Sequence, residues 1–157
     1  MALALIAVLC CTAIATAQSA DLAARSRAAG EAMQAGRFAD AASIYQDLVQ
    51  AVPNDPGLLM NLGMALAMGG READAIVPLQ KAIALNPKLI PAHMFLGSSY
   101  LARGDAASAI APLERVVAAR PSDVESRRML AQAYSGHGRT ADAVSQLRKI
   151  TELEPAL

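Results

Sequence analysis

The sequence predicts an all-α fold, a superhelical α-α solenoid in which one helix–turn–helix unit occurs four times. Two periodicities and one compositional fact predict it. Pro53, Pro87, Pro121 and Pro155 fall 34 residues apart, and Gly36, Gly70, Gly104 and Gly138 keep the same step. A fixed period of this length marks stacked supersecondary units that share a continuous core. Apolar residues make up 54% of the chain but aromatics only 3%, so small and aliphatic side chains must fill the interior, which suits helices packed close together.

The first element is a segment apart. Ala2 to Ala17 reads ALALIAVLCCTAIATA, and no charged side chain occurs before Asp21. It is short for a membrane span, which needs about 20 apolar residues, but it has the length of a secretory hydrophobic region. Ala15-Thr16-Ala17 has the small-x-small pattern of a cleavage site. No Lys or Arg precedes the apolar run, so the α-amino group, or residues upstream of this start, would carry the positive charge. The expectation is an export signal over 1–17, cleavage after Ala17 and a periplasmic or secreted domain over 18–157. The alternative is an uncleaved membrane anchor. Cys10 and Cys11 are the chain's two cysteines, so the cleaved chain would have no disulfide, thiol nucleophile or thiolate metal site.

The four units run 22–55, 56–89, 90–123 and 124–157, without an insertion. Seven columns recur at the 34-residue step. Two are the proline and glycine columns above, and a third is Ala41, Ala75, Ala109 and Ala143. Ala29, Gly63, Gly97 and Ala131 give a small-residue column. Leu66, Tyr100 and Tyr134 share a position where the first unit has Ala32. Tyr45, Leu79, Leu113 and Leu147 form the sixth. Leu62, Leu96 and Leu130, with Ala28 in the first unit, add a further apolar column.

This pattern resembles the tetratricopeptide repeat (TPR). The best-matching units read Leu62-Gly63…Leu66…Gly70…Ala75…Leu79…Ala82…Pro87 and Leu96-Gly97…Tyr100…Gly104…Ala109…Leu113…Pro121. Two departures stand out. The large aromatic usual near the start of helix A is replaced by Arg25, Leu59, His93 and Arg127, and the first unit has Ala where Leu and Tyr are usual, so that unit is expected to pack least well.

Local chemistry marks each helix. Glycine at the interhelical turn allows positive φ, and the proline that ends each unit cannot continue helix B. Asp55 before Pro56 reads as a helix start, Asp105 as a cap of its helix B, and Ser122-x-x-Glu125 as a capping box. Pro78 and Pro112 fall inside helix B of the second and third units, where each removes one hydrogen bond and is expected to bend the helix.

The resemblance implies a concave face lined by helix A that holds an extended peptide or a helix of a protein partner. Carried over by position, that groove comprises Met33, Met60, Asn61, Met64, Met68, Met94, Phe95, Ser98, Leu101, Arg128, Met129 and Gln132. Of seven methionines, all but Met1 fall on helix A. Methionine is flexible and polarizable and adapts to varied apolar partners, so a soft apolar groove is the leading reading; the alternative is that the same six fill gaps between Ala-rich helices. Family members that clamp a C-terminal carboxylate place Lys or Arg where this chain has Ser26, Pro91 and Phe95, so that ligand is not expected although Asn61 matches. Arg127 and Arg128 read as a solvated helix face.

Nothing in the sequence assembles a catalytic or metal site. His93 and His137 stand in different units with no ligand at metal spacing; His93 reads as a packing residue and His137 as an exposed turn residue. Zero net charge without basic blocks gives no reason to expect nucleic acid. No cofactor, metal or small-molecule substrate is expected. The leading function is a protein–protein interaction scaffold. One alternative is the interaction arm of a larger enzyme or of a secretion or envelope-assembly machine. The other is a structural repeat that self-assembles, or meets further repeats, through Val144, Leu147 and Ile150 at the C-terminal edge.

Overall fold

The computed structural model describes residues 19–155. The export segment over 1–17 lies outside the described residues. Eight helices alternate along the described chain, with no strand among them. The A helices are α1 (19–34), α3 (Pro56–Met68), α5 (Ile90–Ala102) and α7 (Val124–Gly136). The B helices are α2 (Phe38–Ala51), α4 (Glu72–Leu85), α6 (Ala106–Ala119) and α8 (Thr140–Leu153). Every B helix stops before the proline that ends its unit.

The A-to-B turn is built four times from one set of hydrogen bonds. Gly36, Gly70, Gly104 and Gly138 adopt φ of 71°, 75°, 76° and 78°. The next residue's N–H reaches back over the turn, from Arg37 to Ala32 O, Arg71 to Leu66 O, Asp105 to Tyr100 O and Arg139 to Tyr134 O, at 2.8–2.9 Å. This Schellman closure satisfies carbonyls that the helix end would otherwise leave unpaired.

Helix starts follow the acidic residues. Asp55 accepts from Leu58 N at 2.9 Å and Asp105 from Ser108 N at 3.1 Å. The third expected cap is corrected. Asp123, not Ser122, caps α7, accepting from Glu125 N, Ser126 N and the Ser126 hydroxyl. Asp123 directly precedes the first turn, and a carboxylate accepts more strongly than a serine hydroxyl. Those bonds, the Ser126 hydroxyl first, hold the Asp123 carboxyl below the usual range.

Pro78 and Pro112 are buried within α4 and α6, and both helices continue through them. The carbonyls that lose a partner, on Asp74 and Ser108, belong to exposed residues, so water can replace the missing bond.

Close approach inside each unit explains the small-residue column. A Cβ on Gly97 would lie 2.6 Å from Leu113 Cγ, and one on Gly63 would collide with Leu79 in the same way. Leu79 and Leu113 are consequently buried completely. The first unit contributes Ala29, Ala32, Tyr45 and Leu48 to the larger core, but its helix A is the most lightly packed: α1 buries only those two alanines, whereas α3, α5 and α7 bury five residues each. A second core joins α6, α7 and α8, and Tyr100 packs against both.

Candidate functional site

The curvature of the stack decides which face can hold a partner. Helices α4, α6 and α8 pack on their own helix A, and α2, α4 and α6 pack on helix A of the next unit. Like helices of successive units meet through helix A, α3 on α5 and α5 on α7, with no comparable packing between B helices among the described residues. The A row is therefore drawn together and the B row is splayed, which makes the A face concave.

All twelve groove candidates sit on A helices, and none is fully buried. Met60 and Met94 occupy one position in successive units, as do Asn61 and Phe95, and Met64 and Ser98. The structure divides them by role. Met33, Met60 and Phe95 pack against the larger core, and Leu101 and Met129 against the second. Met64 and Met94 are half-buried and pack against neither. Met68 is 46% exposed. Ser98 spends its hydroxyl on Phe95 O at 3.0 Å. Arg128 pairs with Glu125 at 2.8 Å, both largely exposed, and such pairs contribute little. Gln132 is exposed, and half-buried Asn61 makes no side-chain hydrogen bond among the described residues.

The column that departs from the usual aromatic has a different use. His93 Nε2 lies 3.0 Å from Pro87 O, and Arg127 donates to Pro121 O at 2.9 and 2.6 Å. Both residues tie helix A to the proline carbonyl that closes the preceding unit. Arg127 also reaches Gln146 on α8 at 2.9 Å. His93 is buried and His137 exposed. Among the described residues no cluster of His, Cys, Asp and Glu could hold a metal ion, and no helix is long and apolar enough to cross a membrane.

Two family models, each described as a tetratricopeptide repeat, match residues 17–90 and 100–156. The chain belongs to the TPR family. No curated protein sequence matches it. Among solved structures it is similar to MamA from Desulfovibrio magneticus RS-1, at 25% identity over 85% of this chain and 76% of that one, with a TM-score of 0.79. A second MamA crystal structure is 26% identical over 92% of this chain and 84% of that one, also at 0.79. A TPR solenoid with such neighbours is typical of protein–protein interaction scaffolds rather than enzymes.

One feature of this TPR domain lies outside the expected groove. On the convex side, between α2 and α4, lies a cleft of about 720 Å³. Leu59, Leu62 and Leu66 of α3 form its floor, Gln46 and Asp47 stand on one wall, and Arg71, Asp74 and Val77 on the other. Arg71 and Asp74 are ion-paired at 2.7 Å, and Val77 is 68% exposed at the rim. The signal was present in the Leu66, Tyr100, Tyr134 column, whose second-unit member is the only one of the three without a ring.

Proposed function

We propose that the chain is a TPR adaptor that holds a peptide or helix of a partner protein along its concave A face. The observation that carries this reading is that Met64 and Met94 are half-buried without serving either core, beside the amide of Asn61, which makes no side-chain hydrogen bond among the described residues. Flexible apolar side chains next to one amide suit a partner that offers apolar side chains and a backbone to be oriented. The test is capture of partners from cell-envelope extract by residues 18–157, compared with the Met64→Glu/Met94→Glu double variant. The expected result is a protein retained by the first and lost by the second at unchanged helicity. Equal capture by both would move the site off this face.

The exported location belongs to the same proposal and rests on the Ala2–Ala17 segment. N-terminal sequencing of the protein from its native host is expected to begin at Gln18. A start at Met1 in a membrane fraction would favour the anchored alternative.

A second reading is favoured by α8. Val144 and Leu147 are 47% and 51% exposed there, an apolar edge that a second copy or further repeats could cover. Light scattering is expected to show mass rising with concentration, and Leu147→Lys is expected to remove the rise.

A further inference from the structure

The geometry points to the α2–α4 cleft as a socket for a tyrosine side chain supplied by a partner protein. The argument comes from the repeat itself, because the chain shows twice how this position is filled. In the third unit, Tyr100 of α5 reaches α4, where Gln80 Nε2 donates to its hydroxyl at 2.7 Å. In the fourth unit, Tyr134 of α7 reaches α6 and donates to Glu114 Oε1 at 2.7 Å. Arg139 stands over the Tyr134 ring, 4.4 Å from its centroid, while pairing with Asp142 at 2.7 Å.

The second unit keeps every partner of that ring and lacks only the ring. Gln46 is the counterpart of Gln80 and Glu114, Arg71 of Arg139, and Asp74 of Asp142, each at the 34-residue step or its double. Arg71 is paired with Asp74 just as Arg139 is with Asp142. Leu66 replaces the tyrosine and ends at the cleft floor. Gln46 makes no side-chain hydrogen bond among the described residues. The cleft therefore offers an apolar floor, a cation placed for stacking and an amide placed for a hydroxyl, which together recognise a phenol.

The ring must come from another protein. The chain has three tyrosines, and each is committed: Tyr45 is buried in the core, Tyr100 is bonded to Gln80 and Tyr134 to Glu114. A second copy has none to offer. The exposed Val77 at the rim gives the residues flanking an incoming tyrosine an apolar landing. The inference rests on the reading of the chain as a protein-binding scaffold but uses the opposite face, so the two fail separately.

The test is a titration of residues 18–157 with N-acetyl-tyrosinamide, followed by NMR at the Leu66 and Val77 methyls and the Gln46 side-chain amide. The expected result is saturable millimolar binding at those signals. N-acetyl-phenylalaninamide should bind about fivefold more weakly, the worth of one net hydrogen bond. Leu66→Tyr should abolish the shifts by filling the cleft with the chain's own ring. Should that variant not fold, Gln46→Ala must still erase the preference for the hydroxyl. The Met64→Glu/Met94→Glu variant should bind the tyrosine probe normally, which separates this site from the concave groove. Absence of shifts at probe solubility, equal binding of the two amides, or unchanged binding by Gln46→Ala overturns the proposal. Tighter binding of free p-cresol than of N-acetyl-tyrosinamide also overturns it, by making the ligand a small phenol rather than a protein side chain.

Discussion

The third and fourth units put the same leucine in opposite surroundings. Leu113 and Leu147 share a column, yet Leu113 is fully buried and Leu147 is 51% exposed. Two differences act together. Leu113 lies against Gly97, whose missing side chain is the space that the leucine occupies, while the fourth unit has Ala131 at that position. Leu113 is also covered by α7, which packs on α6, whereas no described element covers the outer side of α8. In a solenoid, burial is set by neighbours on both sides, so one residue type in one repeat position can be core in one unit and surface in the next.

The sharpest way to break the comparison is to truncate both leucines. Leu113→Ala is expected to cost about 2–5 kcal/mol, as for a fully buried leucine that leaves a cavity. Leu147→Ala is expected to stay within about 0.5 kcal/mol, as for a surface site. Urea unfolding of both variants measures the difference. Similar costs would mean that α8 is covered in solution, and would favour the self-associating reading.

A second variant isolates the glycine. Gly97→Val places a branched side chain where Leu113 now sits and is expected to cost about 3 kcal/mol, the upper range for overpacking. The complementary Ala131→Gly change should not rescue burial of Leu147; it should lower stability by about 1 kcal/mol through loss of helix propensity alone. Thermal unfolding of the pair checks both. A stabilising Ala131→Gly would show that Ala131, rather than the open side of α8, keeps Leu147 out.

Much of this architecture was legible in the sequence because the repeat writes each constraint several times. The turn glycines, the small-residue column and the Asp55 and Asp105 caps each follow from a rule that acts locally. The α7 cap was misplaced by one residue because Ser122 and Asp123 both satisfy the pattern, and only geometry shows which oxygen reaches the amides. Placement of the groove candidates on A helices was legible. Their division into core-packing and free side chains was not, since Met33, Met64 and Met94 look alike until the neighbouring helices are in place. The convex cleft went unseen for a different reason. Leu66 is an ordinary core residue by composition, and its meaning appears only beside Gln80–Tyr100 and Glu114–Tyr134, contacts that cross between units.

The inner side of α8 sharpens the contrast with its open outer side. There Tyr134 is 6% exposed, and burial first, then its bond to Glu114, pushes the phenol up to about 12 from 10.0. The sign follows from linkage. The unfolded chain loses this proton near pH 10 and the folded chain near 12, so the stabilisation is complete below pH 10 and disappears as pH rises through 12. At full deprotonation the loss is on the order of 3 kcal/mol. Ultraviolet titration of the wild type against Tyr134→Phe is expected to show a late-titrating phenol that the variant lacks. Identical titration curves for the two proteins in that range would mean that Tyr134 is not held against Glu114 of α6.

The smallest expected effect lies in the third unit, at a position that the better-packed region has left unfinished. Ser99 is 1% exposed on α5, and its hydroxyl has no hydrogen-bond partner among the described residues. The same column holds Ala65 and Ala133, both completely buried, so the space is that of an alanine with one polar atom added. Burying a hydroxyl without a hydrogen bond costs about 1–3 kcal/mol on mutational scales, while removing it opens a gap of one atom. Ser99→Ala is therefore expected to raise stability by about 1 kcal/mol, read as a higher urea midpoint at unchanged slope. A loss of stability instead would mean that Ser99 has a partner in solution, such as a bound water bridging to α5 carbonyls, and that even this apparent flaw in the third unit is satisfied.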